Sequence, residues 1–256
     1  MDLGLRDRVC VLTGSTAGVG LAAARMLVEE GAKVVTCSRR EDGPGIGEAL
    51  HVSADLGEPD APGDLIRRTE TELGRVDVLV NNVGDSYLAR FDELSEEQWE
   101  NMWQLNVMSY VRAIQAALPG MRERRDGVIV NVSSTAGKRP STGMPNYTVT
   151  KAAVLSLSRL VADLYAKDGI RCNAVAPGPT LSETWLAPGR LADQQADQTG
   201  KSREEVLQAV GGGRPLGRMA EPEEIAAVVV FLCSARTSYV TGAAWSADGG
   251  TVPVII

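Results

Sequence analysis

Tyr147 and Lys151, in the segment Asn146-Tyr-Thr-Val-Thr-Lys151, set a weak acid and a cation four residues apart, so that on a helix both side chains project from one face. A free phenol loses its proton at about pH 10, and a neighbouring ammonium draws that value toward neutrality. A tyrosine so placed can give up and take back a proton in general acid–base catalysis. Two polar residues at this spacing are also commonplace on exposed helices, so the rest of the chain must supply a reason for them. One is the stretch Thr13-Gly14-Ser15-Thr16-Ala17-Gly18-Val19-Gly20, which follows an apolar run and opens a helical one. Glycines there let backbone N–H groups approach a pyrophosphate at a helix N-terminus, where the helix dipole favours an anion.

The end of the second apolar run indicates which dinucleotide. NAD-binding folds place a carboxylate there for the ribose hydroxyls, whereas NADP-binding ones offer positive charge to the 2′-phosphate. Here the run ends Thr36-Cys37-Ser38-Arg39-Arg40, with no acid before Glu41. Ser38 can donate a hydrogen bond, and Arg39 and Arg40 can make charge-assisted contacts with phosphate, so NADP(H) is expected over NAD(H). The competing reading makes both arginines solvated loop charges.

Composition removes other kinds of chemistry. The chain has 256 residues, 44% apolar and 23% charged, enough for one large α/β domain or two small ones. A net charge of -7 argues against nucleic acid or anionic lipid as partners. Cys10, Cys37, Cys172 and Cys233 form no CxxC pair and His51 is the one histidine, so neither a metal site nor a Ser-His-Asp triad is expected. The segment Met1–Arg8 is charged and lacks a signal-peptide core, and no apolar run is long enough for a membrane span. A soluble cytoplasmic protein acting on a small molecule is the expectation.

The elements that position these residues follow from alternating strand and helix signals. Strands are expected at Val9–Thr13, Lys33–Ser38, Ala49–Asp55, Val76–Asn81, Val128–Ser133, Ile170–Ala176 and Ala243–Ala247. Helices are expected at Leu21–Glu30, Asp60–Gly74, Ser95–Leu118 (opened by a capping box of Ser95 and Gln98), Asn146–Asp168 and Pro222–Ser234. Continuous apolar strands alternating with helices predict an α/β fold of the Rossmann type, a doubly wound parallel sheet in a single domain over residues 1–256. Two stretches break the rhythm. Glu41–Gly47 is rich in glycine and acids where a crossover helix would stand, and Pro177–Pro215 shows one helical patch, at Ser202–Val210. Residues 179–215 are therefore read as a substrate-covering segment.

Further motifs follow the cofactor turn in order: Asp55-Leu56, Asn81-Asn-Val-Gly84, Asn106 in Gln104-Leu-Asn-Val107, Ser133-Ser134, Tyr147 to Lys151, Asn173-Ala-Val-Ala-Pro-Gly178, Tyr239-Val-Thr-Gly242 and Asp248-Gly-Gly250. With them, essentially the whole chain resembles the single-domain branch of the short-chain dehydrogenase/reductase family. Arg214-Pro-Leu-Gly-Arg-Met219 is similar to the 3-oxoacyl-carrier-protein reductases of that family, a similarity shared by relatives with other substrates. The resemblance implies that Tyr147 is the general acid in carbonyl reduction, or the base in alcohol oxidation. Lys151 would lower its pKa and hold the nicotinamide ribose, Ser134 would stabilise the substrate oxygen, and Asn106 would anchor a water relaying protons from Lys151. Ser133 competes with Ser134, and the spacing of thirteen residues to Tyr147 favours Ser134. The resemblance also puts Gly14, Ser15, Thr16, Gly18, Val19 and Gly20 at the cofactor, Asp55 and Leu56 beside the adenine, Asn82 and Gly84 along the adenosine, and Pro177 and Gly178 beside the nicotinamide. One of Thr180, Ser182 and Thr184 would hydrogen-bond the carboxamide or a cofactor phosphate. Val83 stands where the family often has alanine.

Pocket walls are expected from Asp85–Leu88, Ala136–Met144 and Leu181–Leu216. Lys138 and Arg139 either meet an anionic substrate group or are solvated loop cations, and Trp185, Leu186 and Met144 suggest an apolar lid. These residues do not choose among 3-oxoacyl thioesters, cyclic ketones, sugars and steroids. Trp99, Met102, Trp103 and Val107, with Val154, Leu155, Leu157 and Leu160, make two helices apolar on more than one side. A homo-oligomer, dimer or tetramer, is expected from that, against a thicker internal core. Other classes remain in view: a catalytically inactive cofactor-binding sensor or structural protein, which has no need of the full Asn106, Ser134, Tyr147 and Lys151 set, and an epimerase or dehydratase, whose longer relatives add a C-terminal substrate domain.

Overall fold

Strands buried along their whole length can only sit in a sheet covered on both faces. A computed structural model describes residues 1–253 of the chain. In order its elements are β1 (Val9–Thr13), α1 (Gly18–Glu29), β2 (Lys33–Ser38), β3 (Leu50–Ser53), α2 (Ala61–Leu73), β4 (Val78–Asn81), α3 (Glu96–Trp103), α4 (Ser109–Arg124), β5 (Gly127–Val132), α5 (Thr135–Lys138), α6 (Pro145–Tyr165), β6 (Ile170–Pro177), α7 (Glu183–Leu186), α8 (Leu191–Thr199), α9 (Arg203–Gly212), α10 (Pro222–Cys233) and β7 (Ala244–Ala247). The strands form one parallel sheet in the order β3-β2-β1-β4-β5-β6-β7, the doubly wound Rossmann-type arrangement expected. Alternate strand residues feed opposite layers. Leu12, Val80, Val130 and Val175 pack in one layer with α1 and α10, and Val11, Leu79, Ile129 and Cys172 in the other with α2, α4 and α6. Strand order reverses between β1 and β4, so the loops leaving these strands open a crevice at the carboxyl edge of the sheet. No helix of the described residues is long and apolar enough to cross a membrane.

The segment between β2 and β3 carries no helix, as its composition suggests. Elsewhere the structure departs from the sequence reading. The helix expected as one piece from Ser95 to Leu118 is α3, opened by the Ser95–Gln98 capping box, then a π turn at Gln104–Met108, then α4. α4 continues through Pro119 to Arg124. Proline removes a backbone donor there, but Ala113, Ile114, Ala117, Leu118 and Met121 are buried on both sides of it and carry the helix through. The long excursion contains α7 and α8 besides α9. β3 and β4 are also shorter than expected.

Candidate active site

The turn after β1 floors the crevice. Gly14 and Gly18 have φ of +63° and +52°, left-handed values that glycine adopts freely. A Cβ on Gly14 would lie 2.8 Å from Cα of Val83. Asn82 fixes the turn from the neighbouring strand: its Nδ2 donates to the carbonyls of Thr13 and Gly14 at 3.0 and 2.9 Å. Thr13 Oγ1 in turn accepts the N–H groups of Asn82 and Val83 at 2.9 and 3.0 Å. The cleft beside this turn is lined by Gly14, Thr16, Gly18, Val19, Ser38, Arg39, Asp55, Leu56, Asn82 and Gly84.

Some expected cofactor residues do not reach the cleft. Ser15 is fully buried; its Oγ donates to Leu12 O at 2.8 Å and accepts the Cys37 N–H at 3.0 Å, which ties β1 to β2. Gly20 serves packing, since a Cβ there would strike Gly14 O and the Asn82 amide. Arg40 turns to Glu183 at the start of α7, 3.5 Å away; Arg39 borders the cleft, as does Arg190, which is paired with Asp85. His51 is structural as well, bonding Thr36 Oγ1 and Arg40 O, each at 2.9 Å.

At the other end of the crevice, α6 carries Tyr147 and Lys151. Asn146 sets its first turn: Oδ1 accepts the Tyr147 N–H at 2.9 Å, and Nδ2 donates to Tyr87 Oη at 2.8 Å and Gln98 O at 3.3 Å. Ser134 caps α5, its Oγ accepting the Ala136 N–H at 3.1 Å. Ser133 donates instead to Lys151 O at 2.7 Å and so ties β5 to α6. Lys151 is buried; its Nζ donates to Val132 O at 2.9 Å and lies 5.5 and 5.8 Å from the ring centroids of Tyr110 and Tyr147. Tyr110, which no sequence motif marks, sets its hydroxyl within donor reach of the carbonyls of Val83 at 2.9 Å and Val132 at 3.2 Å. Asn106, buried in the π turn, accepts the Asp85 N–H at 2.9 Å and donates to Asp85 O at 3.0 Å. A Cβ on Gly84 would lie 3.1 Å from Asn106 Oδ1 and 3.3 Å from Lys151 Nζ, so both polar atoms converge on that bare Cα.

Loss of water dominates the electrostatics. Burial raises the pKa of Tyr147, with the hydrogen bond to Ser134 acting the other way, and pushes Lys151 down to about 7. Desolvation thus favours the neutral form of both groups. The expectation that Lys151 draws Tyr147 toward neutral pH is corrected accordingly: for each side chain the larger influence is burial, and the phenol stands as a protonated acid.

Ser134, Tyr147 and Lys151 line a cavity of about 610 Å³, together with Pro177, Gly178, Thr180, Ser182 and Thr184. Val19, Asn82, Gly84, Ser182 and Thr184 border both this cavity and the glycine-turn cleft, so the two form one trough. Arg139, Met144, Trp185, Gln195 and Arg214 also line the cavity. Lys138 points away: its Nζ donates to Ala244 O at 2.7 Å and Ser246 Oγ at 2.9 Å, binding α5 to β7. Asp85 is paired with Arg190, which also donates to Ser86 O at 3.3 Å and so anchors α8 to the loop after β4. Thr251 and Val252 complete the wall; nothing in their types or spacing signals a pocket.

The family model described as Enoyl-(Acyl carrier protein) reductase matches residues 14–252. The chain belongs to the short-chain dehydrogenase/reductase family. It is 33% identical to the 3-oxoacyl-[acyl-carrier-protein] reductase of Vibrio cholerae over 97% of this chain and 98% of that protein. It is 35% identical to the cis-4-hydroxycyclohexanecarboxylate dehydrogenase of Sinomonas cyclohexanicum, with 97% and 98% covered. The crystal structure of L-sorbose reductase from Gluconobacter frateurii, complexed with NADPH and L-sorbose, matches with a TM-score of 0.93 at 34% identity over 100% of both chains. As a short-chain dehydrogenase/reductase, the chain is a nicotinamide-dependent oxidoreductase acting on CH–OH and C=O groups.

Proposed function

We propose that the protein is an NADP(H)-dependent carbonyl reductase, and in reverse an alcohol dehydrogenase, with Tyr147 as its general acid/base. The observation that carries this reading is the continuity of the trough. The glycine-turn cleft, with Arg39 on its wall, runs into the cavity bordered by Ser134, Tyr147 and Lys151.

NADP(H) suits the residues present. Gly14 and Gly18, at left-handed φ, border the cleft at the start of α1, where a helix N-terminus favours a pyrophosphate, and Arg39, with Ser38 and no carboxylate at the end of β2, suits a 2′-phosphate. Asp55 and Leu56 would flank the adenine, and Asn82, Gly84, Pro177, Gly178 and Thr180 the remainder. When bound, the nicotinamide supplies or takes up a hydride. Ser134 orients the substrate oxygen by a hydrogen bond, and Tyr147, buried and protonated, gives that oxygen its proton as negative charge develops. Lys151, with its amine at about 7, exchanges protons at neutral pH and resupplies the phenol, while Asn106 holds the relay beside Gly84. Residues 179–215 cover the substrate within this single catalytic domain. Val149, Leu160 and Leu164 on α6 and Trp103 on α3 are exposed, which supports a homo-oligomer joined through these helices.

The test follows nicotinamide absorbance with a panel of ketones, NADPH and NADH side by side, before and after Arg39→Ala. We expect kcat/KM about tenfold or more higher with NADPH, falling toward parity in the variant. Equal use of both cofactors, or a preference that Arg39→Ala leaves unchanged, overturns the role of Arg39. No nicotinamide-linked turnover of any ketone overturns the reductase reading.

A further inference from the structure

We infer that the substrate carries an anionic group, a carboxylate or a phosphate, for which Arg139 and Arg214 in the cavity lining supply the positive charge. The inference rests on the reductase reading above, because it takes the reacting carbonyl to lie at Ser134 and Tyr147. Its basis is an imbalance of charge. The chain as a whole is acidic, at -7, yet the charged residues lining this cavity are Asp85, Arg139, Lys151 and Arg214. The one carboxylate among them is taken by Arg190 and by the Ser86 N–H, at 2.8 Å.

Four arginines on and around the segment 179–215 are paired. Arg40 meets Glu183, Arg190 meets Asp85, Arg203 meets Asp193 and Arg218 meets Glu224. Among the described residues, Arg139 and Arg214 have no carboxylate within salt-bridge reach. Arg214 donates its Nε to Val210 O at 3.1 Å, which fixes the stem and leaves the outer guanidinium nitrogens unengaged by that bond. Asp248 borders the adjoining cleft with Arg214, but its carboxylate accepts the N–H groups of Gly250 and Val252, each at 3.0 Å. Lys138, the other cation at this corner, is bound to β7. Arg139 follows α5, five residues beyond Ser134, and Arg214 follows α9. The two therefore reach the cavity from separate elements. Guanidinium forks match carboxylate and phosphate oxygens in pairs, and a cavity lined by one sign of charge concentrates ligands of the other.

The test reads binding, so that it does not depend on turnover. The enzyme loaded with NADP+, which cannot reduce a ketone, is titrated calorimetrically with two matched pairs. One pair is 4-oxocyclohexanecarboxylate and its methyl ester; the other is acetoacetyl-coenzyme A and acetoacetyl-N-acetylcysteamine. The anionic member of at least one pair is expected to bind about tenfold or more tightly than its neutral twin, and the pair that shows this distinguishes carboxylate from phosphate as the source. Arg139→Gln and Arg214→Gln should each reduce the preference to about twofold, and Arg139→Lys and Arg214→Lys should retain most of it, all with unchanged affinity for NADP+. Twins that bind alike in both pairs, anions that fail to bind, or a preference that survives both Gln variants overturns the inference. Reduction of the neutral ester by NADPH reports on the reductase reading separately: its absence beside intact anion preference sinks the reaction and spares the anion site.

Discussion

Lys151 shows how burial, more than charge pairing, sets the chemistry of single residues here. Its amine is 3% exposed as a residue and bonded to one carbonyl, and it titrates at about 7; an unfolded chain would release the same proton at about 10.4. Between those values the unfolded chain binds a proton that the folded chain does not, so this group makes stability rise with pH across that window, and its burial is most costly below pH 7. Urea unfolding should show wild type gaining on the order of 1–2 kcal/mol relative to Lys151→Met between pH 7 and 8.5. A difference that stays flat with pH contradicts a depressed amine. That Tyr147 and Lys151 share one face of a helix was legible from their spacing, while Ser134 and Asn106 stood out only through the family resemblance; the structure brings Ser134, Tyr147 and Lys151 to one cavity and sets Asn106 Oδ1 near Lys151 Nζ at Gly84. Where the side chains of Ser15 and Lys138 turn was not legible, because both sit in the expected segments with their polar atoms engaged by β1, β2 and β7. No spacing rule sees such a rotation.

Elements were legible wherever burial is continuous. All residues of β1, β4 and β5 are buried, and such runs stand out between glycine-rich turns. The π turn that carries Asn106 did not stand out, because one extra residue in a helical turn leaves the apolar pattern of α3 and α4 almost intact. α8 escaped for the opposite reason: it buries Leu191 and Ala192 alone, so it has no apolar stripe to read. Its place depends on polar anchors, Arg190 to Asp85 and Ser86, Arg203 to Asp193, and Gln194 to the Leu88 N–H at 2.9 Å. Partly exposed ion pairs contribute little to global stability, so Arg190→Ala should shift the midpoint of thermal unfolding by less than about 3 °C. It should nonetheless speed limited proteolysis within residues 181–200 several-fold and raise KM, because the anchor holds a local unit. Unchanged proteolysis contradicts the anchoring role.

The whole molecule joins the glycine-turn cleft and the cavity of Ser134, Tyr147 and Lys151 along the carboxyl edge of one sheet, and leaves apolar side chains of α6 uncovered. Leu160 and Leu164 are 54% and 58% exposed, one helical turn apart. A Leu160→Glu, Leu164→Glu double variant should therefore convert a homo-oligomer to monomer by light scattering, and a wild-type monomer contradicts the assembly proposed. Excess apolarity on two helices indicated this surface only in part: Trp103 and Leu160 are exposed, but Met102, Val107 and Val154 are buried within the chain, and Val149 and Leu164 gave no signal. Substrate choice is likewise a property of walls assembled from distant segments, Arg139, Trp185, Arg214 and Val252 among them, which no local pattern reveals. The central claim is that Tyr147 moves the proton while the trough binds the cofactor independently of it. Tyr147→Phe measures this most directly: NADPH affinity should stay within about twofold of wild type while kcat for ketone reduction falls by about 10²–10⁴-fold. Activity within about tenfold of wild type, with cofactor still bound, would contradict the account.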